Sequence, residues 1–266
     1  IRDAFVDYIC KLPKNGDLIY CADDAGAVET VNIAKEKRPD INLIPYGTKA
    51  CGEFKITLGE VRNDCQEFDL ELFGKMYLSV PGVHEVLDGV AAVALACQLL
   101  RDSEKNPLDY KDKIVKGLKS FAGGKRRSEI IGKLQTKAGN SVVVIDDYGH
   151  HPTAIRTTLD GFKNFYPDKY LIVDFMSHTY SRTASLLEEF ASSFESADQV
   201  ILHKIYSSAR ENKKDFEGIV SGEILFEKTK QYHHKVSYFE EILDATDFAK
   251  EKLLSTLPEG KNGFVF

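Results

Sequence analysis

The chain has 266 residues, of which 43% are hydrophobic and 29% are charged, and this length allows two domains of ordinary size. Its formal net charge of −6 gives no general electrostatic support for binding to nucleic acid. The five cysteines are widely spaced and no pair has metal-ligand spacing, which favours reduced thiols in a cytoplasmic protein.

The first part of the chain alternates between helical and strand patterns. Helices are predicted over residues 1–12, 25–36 and 84–100, and strands over 17–21, 42–46, 54–61, 65–72 and 75–80. The third helix carries Asp88 and Gln98 within its apolar run, which predicts a buried helix rather than a membrane span. We therefore expect no membrane partner. The amphipathic start at Ile1 is compatible with a piece of a longer protein.

A polar stretch that ends in proline, residues 101–107, predicts a linker. A short helix follows over 110–119. Strands are then predicted over 129–134, 142–145, 170–175, 199–206, 236–239 and 263–266, with helices over 153–165, 183–196, 218–228 and 240–254. Strands separated by helices of this length predict a mostly parallel sheet with right-handed crossovers. The fold class is therefore α/β, with domains at 1–103 and 107–266.

A cluster of polar residues follows the strand at 142–145. Residues 146–153 read Asp-Asp-Tyr-Gly-His-His-Pro-Thr, and a helical pattern begins directly after them. Open α/β sheets bind ligands at the carboxyl ends of their strands, so this string predicts a site. The alternative is a capped turn, in which Asp147 or Thr153 serves as the helix cap and the two histidines are there by chance.

Two further strand ends are polar. His178 and Arg182 follow the strand at 170–175, and Arg210 and Glu211 follow the strand at 199–206. Adjacent parallel strands lie about 5 Å apart, so the three loops are expected to converge on one small substrate. Arg182 would bind a carboxylate through two parallel hydrogen bonds, although an ordinary surface arginine remains the alternative. For Arg210 and Glu211, a solvated ion pair explains the pattern nearly as well.

The turn at residues 123–127 reads Gly-Gly-Lys-Arg-Arg, and its glycines and three cations suit a phosphate. A basic linker turn explains the same pattern. No Gly-x-x-x-x-Gly-Lys-Ser/Thr phosphate loop and no Gly-x-Gly-x-x-Gly dinucleotide pattern is found in the sequence.

These residues resemble the Mur ligases of peptidoglycan synthesis. The matching strings are Val-Pro-Gly-Val-His at 80–84, Phe-Ala-Gly-Gly-Lys-Arg-Arg at 121–127, the string at 146–153, His-Thr-Tyr-Ser-Arg-Thr at 178–183 and Ile-Tyr-Ser-Ser-Ala-Arg-Glu at 205–211. The resemblance implies that residues 1–103 are the later part of the central ATPase domain. Residues 107–266 are then the Rossmann-like C-terminal domain without its last loop, and the UDP-binding domain and phosphate loop lie outside this chain.

The resemblance also implies an activity. It indicates an ATP-dependent carboxylate–amine ligase that joins L-alanine to UDP-N-acetylmuramate through an acyl phosphate, with Mg²⁺ as cofactor. The family holds Mg²⁺ with residues outside this chain, so we predict no metal ligand here. Without a phosphate loop, the 266 residues alone are expected to be inactive. An oligomeric state is not predicted.

The resemblance assigns site residues one by one. The pocket for alanine and the muramyl carboxylate is predicted to contain Tyr148, His150, His178 and Arg182. The predicted catalytic residues are Arg126, Arg127, Asp147 and His150. The residues predicted to face the nucleotide are His84, Glu85, Asp88, Arg127 and Asp147.

Two positions depart from the family pattern His-Asn-x-x-Asn, because Glu85 and Asp88 stand where the family has asparagines. An amide donates and accepts hydrogen bonds, whereas a carboxylate only accepts. The loop before His178 also reads Phe-Met-Ser rather than Phe-Gln-Pro. A ligase-like binding module that has lost ATP chemistry is therefore a second hypothesis, and the related murein-peptide recycling ligase is a third. A dehydrogenase is disfavoured without the glycine pattern.

Overall fold

The computed structural model describes residues 1–62 and 65–266. The chain divides into two compact units, Ile1–Ala122 and Gly123–Phe266, each with its own core. In chain order, the first unit contains α1 (Arg2–Ile9), β1 (Asp17–Cys21), α2 (Ala25–Lys37), β2 (Asn42–Tyr46), β3 (Ile56–Arg62), β4 (Cys65–Leu70), β5 (Gly74–Leu78), α3 (Val83–Asp102), a 3-10 helix (Pro107–Tyr110) and α4 (Lys111–Lys119).

The first unit contains two small sheets. Strands β1 and β2 pair in parallel, while β3, β4 and β5 form an antiparallel sheet, as their alternating sequence predicts. Helix α3 contacts β1 and β2, and its buried residues belong to the same core as the apolar residues of β3–β5: Val86, Val90, Val93, Ala94 and Cys97. Burial raises the pKa of the Cys97 thiol to about 11. The five cysteines are all free.

Helix α3 is also the one helix in the described residues that is long and apolar enough, by length and composition alone, to cross a membrane. Its buried face contributes to the core of the first unit, while Leu95 and Leu99 are exposed. The prediction of a buried core helix is confirmed at the packed face.

The division between the units lies later than the predicted linker at 101–107. Helix α4 follows that stretch and packs Ile114, Val115 and Leu118 against the core of the first unit. Because these apolar contacts tie residues 111–119 to the first unit, the division falls between Ala122 and Gly123. The assignment of each part to a particular ligase domain stays a prediction.

The second unit contains the larger sheet. Its elements in chain order are β6 (Glu129–Gln135), β7 (Ser141–Asp146), α5 (Pro152–Phe165), β8 (Tyr170–Phe175), α6 (Tyr180–Ser185), α7 (Leu187–Ala191), β9 (Gln199–His203), a 3-10 helix (Lys213–Phe216), α8 (Gly222–Thr229), β10 (Val236–Phe239), α9 (Ile242–Phe248), a π-helical turn (Ala249–Leu253) and β11 (Phe264–Val265).

The six strands of this sheet have the order β10-β9-β8-β11-β7-β6. All neighbours pair in parallel except β6 and β7, which are antiparallel. Phe264 of β11 pairs with Val142 of β7 on one side and with Tyr170 of β8 on the other. The sheet confirms the prediction of an α/β fold with a mostly parallel sheet.

Two predicted helices of the second unit differ from the structure. The helix predicted over 183–196 is interrupted, because Leu186 has φ −126° and ψ 30°, values outside the helical range, and separates α6 from α7. The helix predicted over 240–254 is α-helical only over Ile242–Phe248 and continues as the π-helical turn. Periodicity alone does not reveal such local changes of winding.

Candidate functional site

The loops with the predicted site residues follow β7, β8 and β9. Because these strands run parallel, the three loops lie at the same edge of the sheet. The expectation that all three loops follow adjacent strands is wrong, since β11 lies between β7 and β8. Two strand spacings, about 10 Å, therefore separate the ends of β7 and β8. Strands β8 and β9 are direct neighbours.

Four residues around the end of β7 form what we call the Tyr148 cluster: Arg126, Asp146, Tyr148 and His150. The Arg126 guanidinium lies 5.1 Å from the centre of the Tyr148 ring, and its Nε is 3.3 Å from Asp146 Oδ2. The His150 ring lies 5.1 Å from the Tyr148 ring. Its Nδ1 donates to the Tyr148 carbonyl at 3.0 Å, which leaves Nε2 as the basic nitrogen of the neutral ring.

Asp147 shapes the turn next to this cluster. Its Oδ2 accepts a hydrogen bond from the Ser128 amide at 2.8 Å, and its Oδ1 accepts one from the Gly149 amide at 2.7 Å. The carboxylate therefore joins the turn before β6 to the loop after β7. The cap of α5 is His151, whose Nδ1 accepts from the Thr153 amide at 3.3 Å, and neither predicted cap residue serves.

His178 lies against the loop after β9. It forms a parallel bridge with Tyr206, and the two rings stack with their centres 5.5 Å apart and an angle of 19° between them. Helix α6 begins only at Tyr180, so His178 lies outside the helix that contains Arg182. The β-bridge to Tyr206 holds the His178 backbone outside the helix.

Thr179 connects this bridge to α6 with an unusual backbone, φ 73° and ψ 131°. A β-branched residue rarely adopts positive φ, because its Cβ then crowds the backbone. The Thr179 amide donates to the Tyr206 carbonyl at 3.0 Å, and Thr183 Oγ1 donates to the Thr179 carbonyl at 2.7 Å. These bonds hold the strained residue in place.

Arg182 lines an open cavity of about 450 Å³ together with Thr179, Ser181, Ser185, Ser208, Arg210 and Glu211. The Glu211 carboxylate accepts from the amides of Tyr180 and Ser181, each at 3.0 Å, and from the Ser181 hydroxyl. Burial opposes ionisation of Glu211, but the bonds from Ser181 and from the backbone outweigh it and lower its pKa.

A second cavity, of about 310 Å³, lies between α5 and the sheet and extends to the ends of β7, β8 and β11. Asp146, Asp147 and Gly149 line it from the side of β7, and Asp174 and Phe175 line it from the side of β8. Apolar residues of α5 form further lining. The Tyr148 side of the edge and the Arg182 side therefore border different cavities.

Asp174 forms a pair with His203 that sequence reasoning missed. His203 is 2% exposed, and its Nε2 lies 2.6 Å from Asp174 Oδ1. Its Nδ1 donates to the Phe239 carbonyl at 3.0 Å. Burial acts to lower the His203 pKa, but the bond and charge of Asp174 outweigh it and the pKa is raised. The sequence signal was only a histidine at the end of an apolar run.

His84, Glu85 and Asp88 belong to the first unit, at the start of α3. His84 Nε2 lies 3.7 Å from Glu85 Oε1. At the ends of β1 and β2, burial together with the charges of Cys21 and Asp88 raises the pKa of Tyr46 to about 12. The nucleotide-binding roles of His84, Glu85 and Asp88 stay predictions, as do those of Arg127 and Asp147.

No three His, Cys, Asp or Glu side chains are grouped to hold a metal ion in residues 1–62 and 65–266.

Comparison with known proteins identifies the relatives of this chain. Residues 126–256 match the family model described as Mur ligase, glutamate ligase domain. The chain is 44% identical over 255 residues to a UDP-N-acetylmuramate–L-alanine ligase of Treponema pallidum (strain Nichols), covering 95% of this chain and 51% of that protein. It is 34% identical to the ligase of that name from Borrelia garinii, covering 96% and 52%. The chain spans about half the length of these curated relatives.

Two solved structures share the fold. A UDP-N-acetylmuramate–alanine ligase from Thermotoga maritima matches with a TM-score of 0.59 at 19% identity, over 94% of this chain and 55% of that one. A Mycobacterium tuberculosis folylpolyglutamate synthase in complex with ADP and AMPPCP matches with a TM-score of 0.65 at 18% identity, over 91% and 50%. At these identities the likeness shows the fold alone.

Proposed function

We propose that the full-length protein is a UDP-N-acetylmuramate–L-alanine ligase. The premise is that residues 126–256 belong to the Mur ligase family and that the similarity to UDP-N-acetylmuramate–L-alanine ligases extends over 95% of the chain. This ligase forms the amide between L-alanine and the muramyl carboxylate in peptidoglycan synthesis, and it acts in the cytoplasm. ATP phosphorylates the carboxylate with release of ADP, the amine attacks the acyl phosphate with loss of a proton, and the tetrahedral intermediate collapses to the amide and inorganic phosphate.

The observation that carries this proposal is the set of loops at one sheet edge, since the Tyr148 cluster and the His178–Tyr206 pair follow strands that run parallel in the same sheet. In the proposal, His178 and Arg182 bind the amino acid. Tyr148 and His150 line the side of the muramyl carboxylate. A small substrate that contacts both sides must extend across the end of β11.

His150 and Arg126 have distinct tasks in this mechanism. The bond from His150 Nδ1 to the Tyr148 carbonyl leaves Nε2 to accept a proton from the attacking amine. Arg126 is held over Tyr148 and beside Asp146, so its charge is available to the developing negative charge of the phosphoryl group. Asp147 holds the turn that positions both residues.

In the second unit, Arg127 and Asp147 are the residues proposed to face ATP. In the first unit, His84, Glu85 and Asp88 have the same proposed role. The family uses Mg²⁺ to neutralise phosphate charge. No three His, Cys, Asp or Glu side chains in the described residues are grouped to hold a metal ion, so the proposed mechanism assigns Mg²⁺ no ligand among them.

Phosphate release tests the function. The full-length protein is mixed with ATP, Mg²⁺, UDP-N-acetylmuramate and L-alanine, and matched reactions leave out one substrate at a time. We expect release that requires both UDP-N-acetylmuramate and L-alanine, and no release from the 266-residue chain alone. Release that does not depend on L-alanine excludes the proposed amide synthesis.

Replacement of Arg182 by lysine tests the amino-acid side. A guanidinium binds a carboxylate through two parallel hydrogen bonds, whereas an ammonium makes a point contact. We expect Arg182→Lys to raise the KM for L-alanine about tenfold and to lower kcat. Arg156→Lys is the matched control, since Arg156 is exposed and donates to Ser192. Unchanged kinetics would remove Arg182 from the pocket.

A binding module without ATP chemistry is the second candidate, favoured by the acids at positions 85 and 88. Calorimetry of the full-length protein with a non-hydrolysable ATP analogue separates the two functions. Tight binding that requires Mg²⁺ supports the ligase, and an absence of binding supports the module.

A further inference from the structure

Two guanidinium groups line the cavity beside His178, and they come from loops that follow different strands. Arg182 belongs to α6, after β8, while Arg210 lies in the loop after β9. The side chains of Ser181 and Ser208 belong to the same lining. Arg210 is exposed, and its amide donates to Ser208 Oγ at 3.3 Å, which fixes the start of its turn.

The Glu211 carboxylate in this cavity already accepts hydrogen bonds from the protein. Glu211 accepts three hydrogen bonds from Tyr180 and Ser181, so its oxygens cap the start of α6. In the part of the chain that the structure describes, neither Arg182 nor Arg210 forms an ion pair within 4.0 Å. Two guanidinium groups, one on a half-buried residue and one on an exposed residue, therefore line the cavity beside one committed carboxylate.

The charge balance indicates the ligand. Two arginines and Glu211 leave a net charge of +1 around the cavity, which one carboxylate neutralises. Guanidinium groups are planar donors that match the two oxygens of a carboxylate. The Ser208 hydroxyl adds an uncharged donor to the same oxygens, whereas the single proton of the Ser181 hydroxyl is already donated to Glu211.

We propose that Arg210 is a second substrate-binding residue, which holds the carboxylate of the amino-acid substrate together with Arg182. This inference rests on the proposed ligase function. It adds to that function a residue from the loop after β9, and it assigns this cavity to the amino acid.

The test uses the full-length protein with Arg210→Gln, Arg210→Lys and the control Arg156→Gln. Separate KM values are measured for L-alanine, ATP and UDP-N-acetylmuramate. For Arg210→Gln we expect the KM for L-alanine to rise about tenfold, equivalent to about 1.4 kcal/mol, with the other two KM values within about twofold. Arg210→Lys should recover part of the loss, because it restores the charge but not the planar pair of donors.

Several results would overturn the assignment. An unchanged KM for L-alanine removes Arg210 from the site. A rise in the KM for UDP-N-acetylmuramate alone moves the residue to the other carboxylate, and an equal rise in all three KM values together with a lower unfolding temperature reduces its role to loop structure. If the unaltered protein shows no L-alanine-dependent phosphate release, the proposed function fails first and this inference fails with it.

Discussion

Replacing Asp174 by asparagine removes one negative charge beside the buried His203 and keeps the size of the side chain. The Phe239 carbonyl can only accept, so His203 Nδ1 keeps its proton. With Asp174 present, His203 also donates from Nε2 when it is protonated. The asparagine variant keeps a neutral hydrogen bond there, because its amide donates to Nε2.

The expected loss follows from this exchange of hydrogen bonds. A bond to a charged group contributes about 1.5–3 kcal/mol, and a neutral one contributes about 0.5–1.5 kcal/mol. The Asp174 side chain is 30% exposed, so solvent screens its charge. The variant should therefore lose about 1 kcal/mol of folding free energy, the lower end of the range that these two kinds of bond allow. Opening of β8 and β9 should then become about fivefold more frequent at about pH 6.

The sign of the pH dependence follows from the raised pKa of His203. A histidine whose pKa is higher in the folded than in the unfolded state contributes its full stabilisation below about pH 6.5, the ordinary value. That contribution disappears as the pH rises through the folded-state pKa. The deficit of Asp174→Asn should therefore be largest near about pH 6 and should shrink or reverse by about pH 9.

Hydrogen exchange followed by mass spectrometry measures the frequency of local opening in the full-length protein, on peptides that cover β8 and β9. Variant and unaltered protein are compared at the same pH, which cancels the intrinsic pH dependence of exchange. Peptides from β4 and β5 serve as the internal control. An equal deficit at the low and the high pH would refute a charged His203, and no deficit at either pH would refute the pair as a stabilising contact.

Two structural predictions concern close contacts and the turn before β6. Gly222→Ala should destabilise the second unit by about 1–3 kcal/mol, because the added Cβ would lie 2.5 Å from the His203 carbonyl oxygen. A lower unfolding temperature of the variant measures this destabilisation. In the control Gly117→Ala, the added Cβ would have no described atom within 4 Å apart from its chain neighbours and its own helix backbone, so the change should be neutral or stabilising by up to about 1 kcal/mol. Asp147→Ala should lower the free energy of unfolding by about 1–3 kcal/mol, since the Ser128 amide loses its acceptor. We expect faster local hydrogen exchange around Ser128, and unchanged exchange would contradict the prediction.

Strand positions could be read from the sequence where apolar runs are bounded by turn residues. The predicted strands over 17–21, 42–46, 170–175 and 236–239 agree with the observed bounds of β1, β2, β8 and β10. In each case the run is short and polar or turn-forming residues end it, so local patterning is sufficient. The same patterning placed the polar residues at the carboxyl ends of β7, β8 and β9.

The spatial order of strands could not be read in this way. Because the parallel strands all show similar apolar runs, the sequence pattern does not predict that β11 lies between β7 and β8. The pair of Asp174 and His203 was missed for a related reason, because it joins two strands and its members are 29 residues apart. Both features depend on register and strand order, which periodicity does not encode.

The position of β11 has a consequence for biosynthesis. Translation proceeds from β6 to β10 before Phe264 and Val265 emerge, so until then β6–β7 and β8–β9–β10 have no strand to join them. Both nascent pieces expose an unpaired apolar edge during that interval, which is a template for aberrant association between chains. A stop codon a few residues before Phe264 would therefore leave two sheet fragments, and chaperone dependence or aggregation on the ribosome is its expected phenotype.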